Sequence, residues 1–508
     1  MRAPRDGRRR RRTVVVALVV VVLVGGLAPA VTAGATSDDI RQSFTASLGD
    51  RGRVRTVADY RIPDRVRGLT VVLPAAATDA VRVTALRGFR RTNGSTFAWT
   101  GAARPRIELA LSDDARRVLA GDGWALVVRP DVSVSYRYRG SQPGVDTSLD
   151  VAGRGYVDGP LAYVGSYRTR AVTAGGERTT FVVSAAAEPV DVSGAARFLR
   201  LAPDRFDLGV RRDAVTAFVL PERHDPTARV QVVGATVRSS LWVGPRAVRP
   251  DSTDVTFVHE YVHTRLGVVG EGSTRWLTEA TAEYFGHAFA LNAGIGDYRD
   301  FRRGLDPSRF GPATRSAVLS DPGTWAGTTA NYGKGALVLA ALDATIRRRT
   351  DGAHTLADVF VEHPGPYADH AAFRRAVVET TGVPSLGDWL DRYVTTDATP
   401  ALPDDPSLYV YGPRLDPDDD GTPSGREVAR ETNPFVAGGT GTTARSSDTA
   451  TATRTRTNAS TPASTRTATP VGTGEGTAGT AGGFGAPVAA TGVGLAALAG
   501  ALAARRRE

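Results

Sequence analysis

The sequence predicts an α+β fold, with a β-rich N-terminal domain over 36–205 and a mainly helical domain over 206–400. Three observations lead there. Short segments rich in Val and aromatic residues and bounded by Gly, Pro or Asp recur in the first half, among them 68–73, 124–129, 132–138 and 179–183. Past residue 333 the apolar positions recur at helical spacing over 334–349, 355–362, 370–380 and 386–395, with breaks at Gly and Pro. Between these regions, His259-Glu260-Tyr261-Val262-His263 and Trp276-Leu277-Thr278-Glu279-Ala280-Thr281-Ala282-Glu283-Tyr284-Phe285 read as two helices bearing paired imidazoles and paired carboxylates. Segments 216–220 and 229–233 are expected to form a small sheet leading into the first of them.

At the N-terminus, residues 1–12 hold seven Arg and one Asp, 13–27 is almost wholly apolar, and Val31-Thr32-Ala33-Gly34-Ala35 supplies small residues for cleavage. This predicts a secretory signal peptide over 1–35, and Arg11-Arg12 is compatible with twin-arginine export. A retained anchor is the alternative, although the apolar run is shorter than the roughly 20 residues of a spanning helix. Asn93-Gly94-Ser95 and Asn458-Ala459-Ser460 are glycosylation acceptors.

Residues four apart on a helix share a face, so His259 and His263 can present both imidazoles to one metal ion, with Glu260 placed as general base. Catalytic zinc takes three protein ligands and keeps its fourth position open, and Glu279 is the candidate third ligand. Segment 273–292 has a capping Ser at its start, no Pro, apolar Leu277, Ala280, Tyr284 and Ala288, and Gly294 just past its end, which predicts the second helix. Glu279 and Glu283 are again four apart, so one can ligate while the other holds an imidazole by its remaining N–H. Fifteen residues separate His263 from Glu279, and Gly267, Gly270 and Gly272 permit a tight turn between the helices. Two histidines at this spacing also occur on the surface of ordinary helices, and the motif alone leaves that reading open. Leu266 and Val269 stand where a metzincin needs Gly and His, which excludes that subclass.

With the later Asn331-Tyr332-Gly333-Lys334-Gly335, these residues resemble the gluzincins, and within them the aminopeptidase N and glycyl aminopeptidase group, over residues 230–396. The resemblance implies a thermolysin-like zinc peptidase domain behind a saddle-shaped β-rich domain, zinc as cofactor, and a peptide or protein as substrate. It also implies that Tyr332 donates a hydrogen bond to the oxyanion of the tetrahedral intermediate, a role consistent with stabilising developing charge opposite a metal. Members of that group carry a Gly-x-Met-Glu-Asn edge strand whose Glu binds the free amine of the substrate. Here the stretch reads Val233-Gly234-Ala235-Thr236-Val237-Arg238, without the Glu and with an Arg that would repel an ammonium group. Cleavage of internal bonds, or of blocked or acidic substrates, is therefore expected over trimming of free N-termini. The expected function is a zinc-dependent peptidase at the outer cell surface. The alternative is a catalytically silent, surface-anchored binding or adhesion protein on a peptidase fold. Lys334 is the only Lys beside 62 Arg, so either its position demands an ammonium group or one codon escaped a bias toward Arg.

Beyond the helices, 401–437 reads as a linker with an EF-hand-like calcium loop. Asp416, Asp418, Asp420, Thr422, Ser424 and Glu427 fall at positions 1, 3, 5, 7, 9 and 12, with Gly421 at 6, so calcium is the second cofactor expected. Pro423 argues for an unpaired loop, and a solvated acidic linker is the alternative. Thr, Ser, Ala and Gly dominate 438–481, which predicts a disordered stalk. Gly482-Gly483-Phe484-Gly485, an apolar stretch over 486–504 and Arg505-Arg506-Arg507 resemble the tripartite tails of archaeal surface proteins. Region 482–508 is thus expected to be a sorting signal or a C-terminal transmembrane helix, making the membrane a partner.

The formal charge of +10 resides at the ends: residues 1–12 carry seven Arg against one Asp, and 439–508 seven Arg against three acids, so 13–438 is neutral. No nucleic-acid partner is expected of such a body. With no Cys, the chain forms no disulfides and stands on its core and bound ions.

Overall fold

The computed structural model describes residues 38–49, 53–73, 81–111, 118–222 and 234–437. The expected signal peptide, strand 229–233, stalk and C-terminal tail lie outside the described residues. Among the described residues no helix is long and apolar enough to cross a membrane.

The N-terminal half is built from β1 (Ile40–Leu48), β2 (Val54–Arg61), β3 (Val66–Val72), β4 (Val81–Arg87), β5 (Phe89–Asn93), β6 (Thr96–Trp99) and β7 (Arg106–Leu111). It continues through β8 (Val118–Gly121), β9 (Trp124–Val128), β10 (Ser133–Tyr138), β11 (Val145–Val151), β12 (Gly155–Asp158) and β13 (Leu161–Gly165). These make three sheets, ordered β11-β1-β2-β7-β4, β10-β3-β6-β5 and β12-β13-β9-β8. Strict alternation buries Ile40, Gln42, Phe44 and Ala46 along β1, and Val54, Thr56, Ala58 and Tyr60 along β2, so one face of their sheet meets the core. All five residues of β9 are buried because its sheet is covered on both faces. Ala125 and Val127 enter the core of the N-terminal half, while Trp124, Leu126 and Val128 meet Val182, Phe218 and Val237 of the next layer.

That next layer is a five-stranded sheet ordered β14-β15-β16-β18-β17, from β14 (Tyr167–Ala174), β15 (Glu177–Ser184), β16 (Ala214–Val219), β17 (Gly234–Val237) and β18 (Ser240–Val243). Its far face, with Phe181, Val183, Ala217 and Leu241, shares one core with the helices. Residues 167–205 therefore pack with the part that the sequence placed after 205, because a strand run alone does not say which sheet it joins. The helices are α1 (Ser193–Arg205), α2 (Thr256–Leu266), α3 (Trp276–Asn292), α4 (Tyr298–Gly304), α5 (Pro312–Arg315), α6 (Gly333–Arg349), α7 (Leu356–Glu362), α8 (His370–Thr381), α9 (Ser385–Val394) and α10 (Ser424–Ala429). The four helices expected after 333 are α6 to α9, within a few residues at each end. α1 escaped the sequence reading although Val192, Ala195, Ala196, Leu199 and Ala202 bury one face at helical spacing.

The segment expected as a linker is instead a strap on the helical core. Tyr409, Tyr411 and Phe435 belong to that core, and Asn292 at the end of α3 donates to the Tyr409 carbonyl (2.8 Å) and accepts from the Tyr411 amide (2.7 Å). Buried Asp343 of α6 accepts from the hydroxyls of Tyr284 and Tyr411, from the Arg347 guanidinium and from the Leu356 amide. One carboxylate thus ties α3, α6, α7 and the strap together, with every partner a donor. The Pro- and Asp-rich composition hid this, because a few aromatic anchors suffice to dock an irregular segment.

Candidate active site

α2 and α3 cross in the centre of the helical part, and nearly all of both is buried. Their close approach depends on Gly286, where a Cβ would sit 3.2–3.3 Å from backbone and Cβ atoms of His259. The turn between them uses positive φ at Gly267 (63°) and Gly272 (52°), as the short spacing requires. Its entry to α3 is a 3₁₀ turn at Gly272–Thr274, capped by Glu271 and Thr274 in place of the expected Ser273.

The two helices bring His259, His263 and Glu279 together. His259 Nε2 and His263 Nε2 lie 3.2 Å apart, and Glu279 Oε2 is 3.3 Å from His263 Nε2 and 3.8 Å from His259 Nε2. Tetrahedral zinc with bonds of about 2.0–2.1 Å sets its ligand atoms about 3.3 Å apart, so the donor set fits this ion. Glu279 Oε2 is buried without a hydrogen-bond partner, an orphan that a cation would satisfy. Glu283 accepts from His259 Nδ1 at 3.0 Å, which fixes the tautomer that leaves the Nε2 lone pair facing His263 and Glu279.

The two carboxylates draw a cation to this cluster, a proton on His259 wherever zinc does not take its place. Burial disfavours the His259 imidazolium, yet Glu279 and Glu283 hold its pKa up to about 10, while burial and the neighbouring imidazole push His263 down. The carboxylates thus draw one positive charge into a closed space shared by two imidazoles. Burial by itself would raise Glu283, but hydrogen bonds from His259 and His287 hold it well below the usual carboxylate range. A Glu283→Gln variant is expected to bind zinc about 10–100-fold more weakly, read by competition with a chromogenic chelator; unchanged affinity would remove Glu283 from the site.

Glu260 follows His259 on α2, fully buried. Its Oε2 accepts from Thr236 Oγ1 at 2.7 Å, and its Oε1 has no partner. Burial, above all other influences, pushes its pKa up to about 8. Gly234 leaves room for it, since a Cβ there would lie 2.6 Å from Glu260 Oε1. Thr236 is a site residue that the sequence reading missed; it occupies the stretch inspected for an amine-binding Glu, and a Thr has no ligand signature. In the same strand Val237 is buried, while Arg238 is exposed in the turn between β17 and β18.

Tyr332 is buried at the N-cap of α6, and its ring stacks on His259 with centroids 6.0 Å apart and planes 12° apart. Lys334 is buried, and its ammonium donates to the carbonyls of Ala317 (2.6 Å), Asp397 (2.9 Å) and Thr396 (3.4 Å), three acceptors for three N–H groups. Far from these, Asp416, Asp418 and Asp420 converge in the strap, with Glu427 and Ser424 buried on α10. Thr422 donates its amide to Asp420 Oδ1.

The fold, a β-rich part ahead of a helical one, is similar to that of the aminopeptidase N family. The particular counterpart that shows this is an aminopeptidase N family protein from Idiomarina loihiensis, with TM-score 0.53 and 14% identity over 72% of this chain and 77% of that one. An M1 zinc metallopeptidase from Deinococcus radiodurans aligns at TM-score 0.47 and 14% identity over 72% and 95%, and an aminopeptidase A from Legionella pneumophila at 0.40 and 11% over 71% and 49%. No family model and no curated protein matches the sequence.

Proposed function

We propose that this chain is a zinc-dependent peptidase in which His259, His263 and Glu279 hold the metal and Glu260 is the general base. The observation that carries the reading is the convergence of those three donor atoms next to a buried carboxylate whose Oε1 has no partner. Zinc, when bound, supplies Lewis acidity toward a carbonyl oxygen and toward water. The rest falls to the protein. Thr236 holds Glu260 by Oε2, leaving Oε1 to take a proton from the attacking water and pass it to the leaving amine. Glu283 keeps the His259 lone pair turned inward. Tyr332 is assigned the oxyanion, from its place against His259 and its match to the resembled group. A Tyr332→Phe variant is expected to lose on the order of 10²-fold in kcat with KM little changed; undiminished kcat would cancel the assignment.

The strand before α2 supports cleavage of internal bonds or of blocked or acidic substrates, since no carboxylate stands at Val237 or Arg238 to receive a free amine. Mass-spectrometric mapping of cuts in a mixed peptide library, beside a Glu260→Gln control, tests the activity and its position preference together. Cuts made only by the parent protein establish the peptidase; silence from zinc-loaded, folded protein would favour a binding protein on this fold. We also propose export and attachment at the outer face of the cytoplasmic membrane, supported by the Arg-rich and apolar N-terminus and the apolar, Arg-ended C-terminus. Fractionation of cells and surface proteolysis test that placement.

A further inference from the structure

We propose that residues 416–427 bind one calcium ion, and that the ion fastens the C-terminal strap to the helical core. Three carboxylates, Asp416, Asp418 and Asp420, place oxygen atoms within 4.8 Å of one another. Acidic groups gather on many surfaces without a ligand, but here two buried side chains point to one. Glu427 is 3% exposed with Oε2 lacking any partner, and Ser424 is fully buried with its Oγ likewise unpaired. Both oxygens of Asp418 are also orphaned and shielded from water. Burying a carboxylate oxygen without a donor is costly, and calcium is the hard cation that takes such oxygens in sixes to eights.

The wiring of the loop leaves these oxygens free. Asp416 accepts from the amides of Asp420 (3.2 Å) and Gly421 (2.8 Å), and Asp420 from the Thr422 amide (2.8 Å), while no donor serves Asp418 or Glu427 Oε2. Three carboxylates this close repel one another when charged, and a divalent cation relieves the repulsion. The spacing 1, 3, 5, 12 then assigns Asp416, Asp418, Asp420 and Glu427 as ligands, with the Thr422 carbonyl at 7 and Ser424 at 9, directly or through water.

The fastening follows from where the loop sits. Asp416 and Pro417 line a cavity with Arg197, Leu201, Asn292 and Ala293, at the junction of α1 with the end of α3. The loop closes on itself through Ser424 N to Leu415 O and Gly425 N to Pro413 O, both 2.8 Å, so drawing 416–427 together also holds 413–415, directly after Tyr411 in the core. α3 carries Glu279 and Glu283, and the strap grips its last residue, Asn292.

The proposal is independent of the peptidase reading, and its test uses the full chain with zinc kept saturating. Calorimetric titration with calcium is expected to show one site per chain, and about 1 mM calcium should raise the thermal midpoint by several degrees, with a smaller shift from magnesium. Calcium should also slow proteolytic cutting within 412–423. Asp418→Asn and Glu427→Gln are each expected to weaken calcium binding roughly tenfold or more. Absence of binding heat and midpoint shift in the parent protein, or parental affinity in both variants, overturns the site. Calcium that binds without slowing the cutting overturns the fastening. Should neither variant fold, terbium luminescence of the parent protein decides: emission displaced by calcium supports the site, and emission that calcium leaves unchanged refutes it.

Discussion

Replacing Glu260 by Gln is expected to lower kcat by about 10²–10⁴-fold while zinc content and fold persist. The amide matches the carboxylate in size, and its carbonyl oxygen can accept from Thr236 Oγ1 as Oε2 does now at 2.7 Å. What it cannot do is take a proton. Glu260 is fully buried and Oε1 has no partner, so removing its charge also removes a desolvation cost. The thermal midpoint of the variant should therefore equal or exceed that of the parent protein, as is common where a functional group is held in an unfavourable place. Kinetics on a cleaved peptide, metal analysis and a thermal scan together separate this from a folding defect. A variant with parental kcat would refute Glu260 as the base.

Glu279→Ala is expected to abolish retained zinc, and with it activity. Two imidazoles remain, but they lose the third donor that now lies 3.3 Å and 3.8 Å from their Nε2 atoms. Metal analysis after dialysis should fall from about one zinc per chain to near none. A second readout distinguishes lost metal from lost fold. Zinc present at about 1,000 times its Kd contributes about 4 kcal/mol to the folded state. Chelation should therefore lower the midpoint of the parent protein and leave that of the variant where it was. The variant should not be less stable than the chelated parent, since the truncated side chain would leave no orphaned carboxylate oxygen in the cavity, where Glu279 Oε2 now lacks a partner. Zinc retained in full by the variant would mean that the third ligand lies elsewhere.

Much of the site was legible because its signals are local. His259, Glu260 and His263 stand within one helical turn and a half, and Glu279 with Glu283 on another helix, so residue type and spacing suffice to predict that His259, His263 and Glu279 come together. The same locality made α6 to α9 readable, since each buries a stripe set by its own period. The acidic loop pattern is also contiguous, and Asp416, Asp418 and Asp420 of it gather in the structure. Thr236 was not legible, because its role exists only where β17 lies against α2 and a hydroxyl meets Glu260. Nor was the strap: nothing in a Pro- and Asp-rich stretch says that Tyr409 and Tyr411 reach Asn292 and Asp343, 117 and 68 residues away.

By itself the sequence determined the two helices, the order of imidazole and carboxylate groups on them, and the succession of strands before helices. Each follows from interactions within about a dozen residues, where periodicity and capping act. Tertiary structure alone decided that β14 and β15 complete the sheet beneath the helices, that Tyr409, Tyr411 and Phe435 anchor the strap in the core, and that Glu260 is held by one oxygen with the other left open. Those outcomes depend on which distant surfaces find each other, and burial of apolar area, being non-directional, leaves no residue pattern from which the partner can be read.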